Sequence, residues 1–382
     1  MAVPKIRFPG FTEDWEQRKL SGMATFSKGS GYSKADLKTS GKPIILYGRM
    51  YTKYETIIRN VDTFAEEKAG SVYSESGDVI VPASGETAQD ISRASVVANS
   101  GILLGGDINI IHPNNELNPG FLALTISNGN QQKKLSMKAQ GATIVHLHNE
   151  DLKGVDILCP SIDEQTLISE FFERIDNTIT LHQRKLESMK LLKKSLLQKM
   201  LPKSGETVPE VRFPGFTDAW EQRKLGDVIE IESGMDYKSL NPGDIPVYGT
   251  GGYMLSVDKA LSYERDAIGI GRKGTIDKPY ILKAPFWTVD TLFYCIPKEN
   301  YSLNFVHCIF QKINWKKKDE STGVPSLSKT IIKNIPEYFP SLSEQKKLGK
   351  FFSSLDDTIT LHQRKVEILH KLKKSLLQQM FV

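Results

Sequence analysis

The 382-residue sequence has no long hydrophobic run, and its three cysteines are scattered. Without an apolar stretch of about 18 residues, a membrane-spanning helix is not expected. The N-terminus also lacks the apolar core and the small-residue cleavage site of a secretory signal. Three cysteines, an odd number, do not suggest a disulfide framework. We therefore expect a cytoplasmic protein with reduced thiols that inserts into no membrane.

The net charge is also small, because 50 basic residues are offset by 45 acidic ones to leave +5. This charge permits binding to nucleic acid but does not predict it. The sequence lacks a phosphate-binding loop that ends in Gly-Lys-Ser/Thr, and it lacks a cluster of carboxylates with lysine suited to metal-assisted DNA cleavage. We expect no catalytic residue, no metal and no cofactor in this chain.

Three short motifs match ligand sites only in part. Residues 269–274 satisfy Gly-x-Gly-x-x-Gly, but a β-rich segment with Pro279 follows where a dinucleotide-binding fold needs a helix. Residues 118–121, Asn-Pro-Gly-Phe, lack the second proline of the box with which adenine methyltransferases hold a flipped base. His146 and His148 are interpreted as one buried and one exposed histidine, not as a metal pair.

Two internal repeats with different offsets are present. Residues 7–20 and 212–225 are identical at 12 of 14 positions, with an offset of 205, and we call them the entry segments. Residues 163–200 and 343–380 are identical at 22 of 38 positions, with an offset of 180. Because 205 exceeds 180 by 25, the segment between the two elements is 25 residues longer in the first half. These intervening segments look unrelated to each other, so a duplicated frame carries two variable segments.

The second repeat predicts two long helices. Each copy begins with a capping-box pattern, a serine (Ser161 or Ser341) followed three residues later by glutamate. Apolar residues then recur at alternate steps of four and three, as in a coiled-coil seam, with His and Lys interrupting both copies at the same steps. The predicted seam comprises Ile168, Phe172, Ile175, Ile179, Leu186 and Met189 in the first copy, and Leu348, Phe352, Leu355, Ile359, Val366 and Leu369 in the second.

A helix of 38 residues would be about 57 Å long, too long to be covered by its own domain. We expect the two copies to pair antiparallel about a pseudo-two-fold axis. The alternative is two independent helices, each lying on its own domain. His182 and His362 are interpreted as seam or interface residues. The clusters Arg184-Lys185 and Lys193-Lys194 are interpreted as a solvated basic face, with phosphate contact as the alternative.

Short β-rich runs separated by Gly, Pro and Asn turns dominate both variable segments. We predict an α+β fold in which two β-rich domains are separated by the pair of long antiparallel coiled-coil helices, with pseudo-two-fold symmetry. The predicted boundaries are 1–160 and 212–340 for the domains, 161–201 and 341–382 for the helices, and 202–211 for a linker.

The repeated motifs resemble those of the specificity subunits of type I restriction-modification systems. The similar segments of the frame are WEQRKL at 15–20 and 220–225, the Glu-Gln pair that follows a proline, and LHQRK and KKSLLQ in the helices. Inside the domains, the similar segments are 76–85 and 140–147 in the first, and 271–280, 285–291 and 321–329 in the second. The resemblance covers the whole chain.

The resemblance implies that each variable segment is a target-recognition domain that reads one half of a bipartite, gapped DNA site, while the helices set the spacer. It also implies that DNA adenine methyltransferase subunits dock on the helices and carry S-adenosylmethionine, and the duplicated frame suggests two of them. Restriction and translocase subunits would carry ATP and Mg. The alternatives are a self-contained methyltransferase or nuclease, and a coiled-coil adaptor that binds only protein.

Basic and aromatic residues in loops are the candidate contacts to double-stranded DNA. Arg272 and Lys273 lie in a glycine-rich loop, where the backbone can approach a phosphate or a guanine edge closely. Aromatic residues in β-rich domains are more often core residues. The full candidate set is Tyr47, Arg49, Tyr51, Lys133, Lys134, Arg272, Lys273, Thr275, Lys316 and Lys317.

Overall fold

The computed structural model describes residues 3–138, 145–319 and 321–381. The chain divides into two compact units, the first formed by Met1–His182 with Lys365–Val382 and the second by Gln183–Arg364. Each long helix contributes one part to each unit. In the described part of the chain, no helix is both long enough and apolar enough to cross a membrane.

The first unit combines short strands with short helices. Its strands are β1 (Glu16–Lys19), β2 (Ala24–Lys28), β3 (Leu37–Lys38), β4 (Lys42–Ile45), β5 (Ile57–Ile58), β6 (Phe64–Ala65), β7 (Asp78–Pro82), β8 (Ser84–Gly85), β9 (Ser95–Val97), β10 (Leu103–Leu104), β11 (Ile108–Pro113), β12 (Val145–His146) and β13 (Asp156–Cys159). Its helices are α1 (Arg49–Thr52), α2 (Ala88–Ile91), α3 (Pro119–Ser127), α4 (Gly129–Lys138), α5 (Asn149–Lys153) and the first half of α6 (Ile162–Met200).

A five-stranded sheet in the order β2-β11-β7-β9-β5 forms the centre of the first unit. Its central strand β7 is buried along its whole length, which fits the unbroken apolar run at 79–82. A second sheet has the order β10-β4-β6-β3, and in it β10 and β4 run parallel. Two short pairs, β1 with β13 and β12 with β8, complete the described sheets of this unit.

The second unit repeats this composition with fewer strands. They are β14 (Glu221–Lys224), β15 (Ile229–Ser233), β16 (Pro242–Gly249), β17 (Gly252–Val257), β18 (Ala267–Gly271), β19 (Tyr280–Leu282), β20 (Trp287–Thr288), β21 (Leu292–Pro297) and β22 (Pro336–Phe339). Its helices are α7 (Leu225–Val228), α8 (Leu303–Lys312), α9 (Lys329–Lys333) and the first part of α10 (Leu342–Met380). The sheets have the orders β15-β21-β18-β19, β17-β16-β20 and β14-β22.

The two variable segments share a strand framework, although their sequences look unrelated. In the first unit β11 lies between β2 and β7, and in the second β21 lies between β15 and β18, with every pairing antiparallel. Parallel pairs occur in both units, β4 with β10 and β5 with β9 in the first, and β16 with β20 in the second. The residue directly after β7 and the residue directly after β18 also make matching backbone bonds. Ala83 N donates to Asp107 O, and Arg272 N donates to Thr291 O. The duplication therefore extends beyond the frame.

A glycine at the end of β2 and of β15 marks the same close approach in both units. A Cβ on Gly29 would lie 2.0 Å from Gly105 O, and a Cβ on Gly234 would lie 2.0 Å from Val289 O. The next residue then bonds to the segment that it meets, because Ser30 N donates to Leu104 O and Met235 N donates to Thr288 O, each at 2.9 Å. Only glycine allows the backbones to come this close.

The entry segments hold the starts of the long helices. Each forms a strand that pairs antiparallel with the strand before the helix, β1 with β13 and β14 with β22. Arg7 also makes a two-pronged ion pair with Glu164 at 2.7 Å, and Arg212 does the same with Glu344 at 2.8 Å. The predicted capping boxes are therefore only half formed, because these carboxylates bind arginine and do not reach back to the helix start.

The predicted α+β fold with two long antiparallel helices is confirmed. In the first unit Phe172 of α6 contacts Phe381 just beyond α10, and Asp176 accepts a hydrogen bond from Lys373 Nζ at 2.5 Å. In the second unit Lys193 of α6 forms an ion pair with Asp356 of α10. The interpretation of Lys193 as a solvated residue is wrong, since its side chain is 10% exposed and bonded to a carboxylate.

The predicted seam positions lie on the inner sides of the helices. Ile168, Phe172, Ile175, Ile179, Leu186, Leu348, Phe352 and Ile359 are buried, whereas Met189, Leu355, Val366 and Leu369 are half-buried. The first turns of helix α6 also pack against its own domain, because Ile168 and Phe172 share one core with Trp15 of the entry segment. Each helix therefore packs on its own domain at its start and on the other helix further along. His362 is buried and His182 half-buried.

Candidate nucleic-acid interface

Segment 288–291 in the second unit joins a basic loop to a group of exposed aromatic and methionine side chains. On one side Val289 N donates to Tyr248 O at 3.0 Å, and Met235 N donates to Thr288 O. On the other side Arg272 N donates to Thr291 O at 2.8 Å. Since β20 and β21 fix both ends of this segment, it sets the spacing between the two groups of side chains.

The aromatic group surrounds the turn between β16 and β17. Tyr248 packs edge-to-face on Tyr253 with ring centres 6.4 Å apart, and Tyr280 donates its hydroxyl hydrogen to Gly249 O at 2.6 Å. Tyr253 is 63% exposed, and Met254 beside it is 48% exposed. Sequence reasoning missed this hairpin, although the Gly-Thr-Gly-Gly turn at 249–252 flanked by tyrosines was a usable signal.

The basic group is the loop that follows β18. Arg272 and Lys273 are exposed and Thr275 is half-buried, so the structure brings these three predicted contacts together. The Arg272 guanidinium lies 5.9 Å from the Phe293 ring centre, and its Nη1 donates to Asp290 O at 3.4 Å. Gly274 N donates to Pro325 O and Lys273 bridges to Ser326, so segments 271–280 and 321–329 meet here.

The first unit places its predicted tyrosines at the corresponding loop. β8 pairs with β12, and Leu147 N donates to Ala83 O just as Leu327 N donates to Arg272 O. Tyr51 donates its hydroxyl hydrogen to Ser84 O at 2.5 Å, and Tyr47 packs edge-to-face on Tyr51 at 6.0 Å. Tyr47 is 38% exposed. Tyr51 is more buried, and this burial raises the pKa of its hydroxyl well above the ordinary value.

Arg49 lies beside these tyrosines, but its side chain is already bound within the unit. It donates to Asp62 at 2.6 Å, to Glu55 at 2.7 Å and to Asn60 O, and only 8% of the side chain is exposed. Hydrogen bonds from Lys53 and Arg49 lower the pKa of Asp62 to about 2. Arg49 therefore shapes the loop after β4 and presents little of its charge to solvent.

Two histidines extend the surface in the first unit. His146 and His148 are both exposed and stack with ring centres 6.3 Å apart, and His146 Nδ1 lies 3.1 Å from Ser84 Oγ. The interpretation of one as buried is wrong, because residues two apart in extended chain share a face and the neighbours Val145 and Leu147 turn inward. Part of the predicted segment 140–147, residues 140–144, lies outside the described residues.

The remaining predicted contacts lie on helices, and Lys316 lies beside the segment that follows the basic loop. Lys133 and Lys134 are exposed on α4. Lys316 and Lys317 are exposed on a short 3-10 helix, Trp315–Lys318, where Lys316 pairs with Asp277 at 2.9 Å. Trp315 beside them is 1% exposed and is a core residue.

The partial motifs have structural roles. Asn118 caps α3 by accepting from Phe121 N at 3.0 Å, which accounts for the Asn-Pro-Gly-Phe box. Residues 269–274 run from β18 into the basic loop, with no helix after them. In the described residues no group of His, Cys, Asp and Glu could hold a metal ion, and Cys159, Cys295 and Cys308 are buried.

A hydrogen-bonded Ser–His–Asp chain lies on the five-stranded sheet. Ser27 Oγ is 2.8 Å from His112 Nε2, and His112 Nδ1 is 2.6 Å from Asp78 Oδ1. The nucleophilic serine of an α/β-hydrolase lies on a sharp strand-to-helix turn, whereas Ser27 lies within β2 opposite Ile110. The chain crosses from β2 through β11 to β7, and we assign it the structural role of tying these strands together.

Comparisons with known proteins identify the family of this chain. Residues 12–191 and 217–371 match the family model described as the type I restriction modification DNA specificity domain. The chain is 21% identical over 406 residues to the type I restriction enzyme MjaVIII specificity subunit of Methanocaldococcus jannaschii, covering 96% of this chain and 91% of that protein. It is 22% identical to the putative MjaX specificity subunit of the same organism, covering 96% and 92%.

Solved structures show the same fold. The S subunit of a type I restriction-modification system from M. genitalium superposes with a TM-score of 0.73 at 18% identity, covering 100% of this chain and 99% of that one. A chain from a structural study of complex assembly and conformational transition in a type I R-M system gives a TM-score of 0.53 at 14% identity, covering 96% and 97%.

Proposed function

Because the chain belongs to the family of type I restriction-modification DNA specificity subunits, we propose that each variable domain reads one half of a bipartite, gapped DNA site. The observation that carries this proposal is one strand framework with two different loops. The loop after β7 reads Ala-Ser-Gly-Glu (83–86), whereas the corresponding loop after β18 reads Arg-Lys-Gly-Thr (272–275). Two similar scaffolds that carry loops of different sequence are suited to reading two different half-sites.

The chemistry of the loops supports contact with DNA in the second domain. Arg272 and Lys273 can donate to phosphate oxygens or to the O6 and N7 acceptors of guanine. Tyr253 and Met254 on the neighbouring hairpin offer apolar surface for sugars and for the thymine methyl group. A site with both kinds of side chain can combine positioning on the backbone with base contacts.

We further propose that the two long helices set the spacer between the half-sites. Both helices contain 39 residues, which corresponds to about 58 Å at 1.5 Å per residue. Half-sites on one face of B-DNA recur about every 34 Å, so helices of this length can act as a ruler.

Exposed apolar residues on the helices support docking of partner subunits. In the first unit they include Leu181, Ile368 and Leu372, and in the second they include Leu191, Leu192 and Leu361. Ile368 and Leu372 lie one turn apart on α10, and contiguous exposed apolar surface is typical of a site that another protein covers. We propose that one DNA adenine methyltransferase subunit docks on each set, and that these subunits supply S-adenosylmethionine and methyl transfer. Restriction subunits would supply ATP-driven translocation and cleavage with Mg.

Co-expression with the candidate methyltransferase subunit tests the function directly. We expect adenine methylation at a bipartite, gapped motif when both chains are present, and none when either chain is expressed alone. Genome-wide sequencing of modified adenines measures this. Methylation by this chain alone would instead support a self-contained methyltransferase, and an ungapped motif would contradict reading by two domains.

A matched pair of variants tests the basic loop within the same assay. Arg272→Ala should weaken binding or relax one base position in one half of the motif, by about 1–3 kcal/mol if the arginine contacts guanine. The control is Arg265→Ala. Arg265 lies just before β18, is exposed and pairs with Glu230, so its loss should leave the motif unchanged. If neither substitution alters binding or methylation, this loop does not contact DNA.

A further inference from the structure

A basic cleft in the first unit is lined by residues outside the loops described above. It has a volume of about 960 Å³ and is enclosed by residues 3–5, the start of α4 and the last turns of α10. We propose that this cleft binds the phosphate backbone of the DNA beside the half-site that the first domain reads, an inference that rests on the proposed function.

The lining has the charge and the hydrogen-bonding groups that a phosphodiester strand requires. Lys5, Lys133 and Lys374 are exposed and carry no described ion pair, while Lys373 is bound to Asp176. The other polar side chains of the lining are largely amides, which donate to phosphate and sugar oxygens. They are Gln89, Asn128, Asn130, Gln132, Gln378 and Gln379. Three of these already donate within the unit, Asn128 to Leu124 O, Gln132 to Ser92 O and Gln379 to Ser375. No carboxylate lines the cleft in the described part of the chain.

The second unit provides an internal comparison. There the residue before the entry segment bonds to the end of a long helix in the same way, but a carboxylate neutralises the nearby lysines. Ile6 N donates to Gln379 O in the first unit, and Val211 N donates to Lys199 O in the second, which aligns Lys5 with Glu210. Glu210 lies 3.0 Å from Lys199 and 3.6 Å from Lys203, and its pKa is lowered chiefly by the bond from Lys199. The frame by itself therefore does not require a basic cleft, and the first unit is specialised.

Lys374 of the cleft and the exposed apolar residues Ile368 and Leu372 lie on different sides of α10. At 100° per residue from the seam position Leu369, Lys374 lies at about +140°, whereas Ile368 and Leu372 lie at about −100° and −60°. A subunit that covers Ile368 and Leu372 would thus leave Lys374 accessible. This separation favours a nucleic-acid ligand over the docked protein as the occupant of the cleft.

The salt dependence of DNA binding tests the proposal in the full chain with its methyltransferase partner. A duplex that carries the methylated motif is titrated at several salt concentrations. Each phosphate contact contributes about 0.9 to the slope of log K against log salt. The triple variant Lys5→Gln, Lys133→Gln, Lys374→Gln should therefore lower the slope by about 2.7, with the methylated sequence unchanged. The melting temperature of the variant confirms that it folds.

A single pair of counterpart lysines provides the control. Lys374→Gln should lower the slope by about 0.9, whereas Lys194→Gln, at the matching exposed position of α6, should leave it unchanged. An unchanged slope in the triple variant, or a loss of methyltransferase assembly in place of a slope change, would overturn the proposal while the gapped motif still stands. If the wild-type complex methylates no gapped motif, both the proposed function and this inference fail.

Discussion

Arg212 illustrates how single residues of the frame hold a domain to its helix. Its guanidinium makes two hydrogen bonds to Glu344, whose side chain is 2% exposed. Arg212→Met removes the cation and leaves a buried carboxylate without a partner. Because an uncompensated buried charge is costly, we expect the second unit to lose about 3 kcal/mol of stability. Urea unfolding followed by tryptophan fluorescence measures this loss, since Trp220 and Trp315 lie in its core.

Arg223→Met is the matched control in the same unit. Arg223 pairs with Glu221, but both side chains are at least half exposed, and surface pairs contribute about 0–1 kcal/mol. Both substitutions replace an arginine with methionine, and the two ion pairs differ only in how deeply they are buried. Equal losses from both would show that the buried pair has no special role in stability.

At this scale the sequence predicted positions better than partners. Glu164 and Glu344 are correctly placed in the first turn of each helix, and Ser161 and Ser341 do accept from the glutamate N–H groups, at 3.4 and 3.5 Å. The partners of the carboxylates were wrong, because Arg7 lies 157 residues before Glu164 and no local pattern links them. Lys193 was misread for the same reason, since its partner Asp356 is 163 residues away.

At the scale of elements, the close approach at Gly234 controls how β15 meets the segment between β20 and β21. An added methyl group would lie 2.0 Å from Val289 O and 2.5 Å from Thr288 O, both backbone atoms that cannot move alone. Gly234→Ala should therefore displace the segment that joins the basic loop to the aromatic hairpin. We expect a loss of about 2 kcal/mol in stability together with weaker DNA binding.

Gly251→Ala is the control for this prediction, since a Cβ there meets nothing within 4 Å. It should leave stability nearly unchanged. The two variants are compared by thermal melting and by binding to the methylated motif. A fully stable Gly234→Ala variant with normal binding would show that the segment tolerates displacement.

The long helices were predictable because periodicity and capping are local signals, and both signals were repeated. The common strand framework was not, since strands such as β3, β5 and β10 have only two residues and pair with distant segments. In the sequence, the common strand framework is indicated by Gly29 and Gly234. They share the entry offset of 205, so the first repeat extends further than its identical residues.

At the scale of the whole molecule, the frame contacts are duplicated while the loops differ. The bonds Arg7–Glu164 and Arg212–Glu344, the strand pairs β1–β13 and β14–β22, and the ion pairs Asp176–Lys373 and Lys193–Asp356 occur once in each unit. None of them depends on the side chains of the loops after β7 and β18. A variable segment can therefore change without loss of the frame.

Exchange of one variable segment tests this independence. Replacing residues 21–160 with the variable segment of another family member retains Arg7, β1 and α6, and the pairing of β1 with β13 depends on backbone bonds that a new segment can also make. We expect one half of the methylated motif to change, while the other half and the spacer stay the same. Sequencing of modified adenines in cells with the methyltransferase subunit measures all three features. The reciprocal exchange of residues 226–340 should change only the other half, and a change in both halves after either exchange would contradict separate reading.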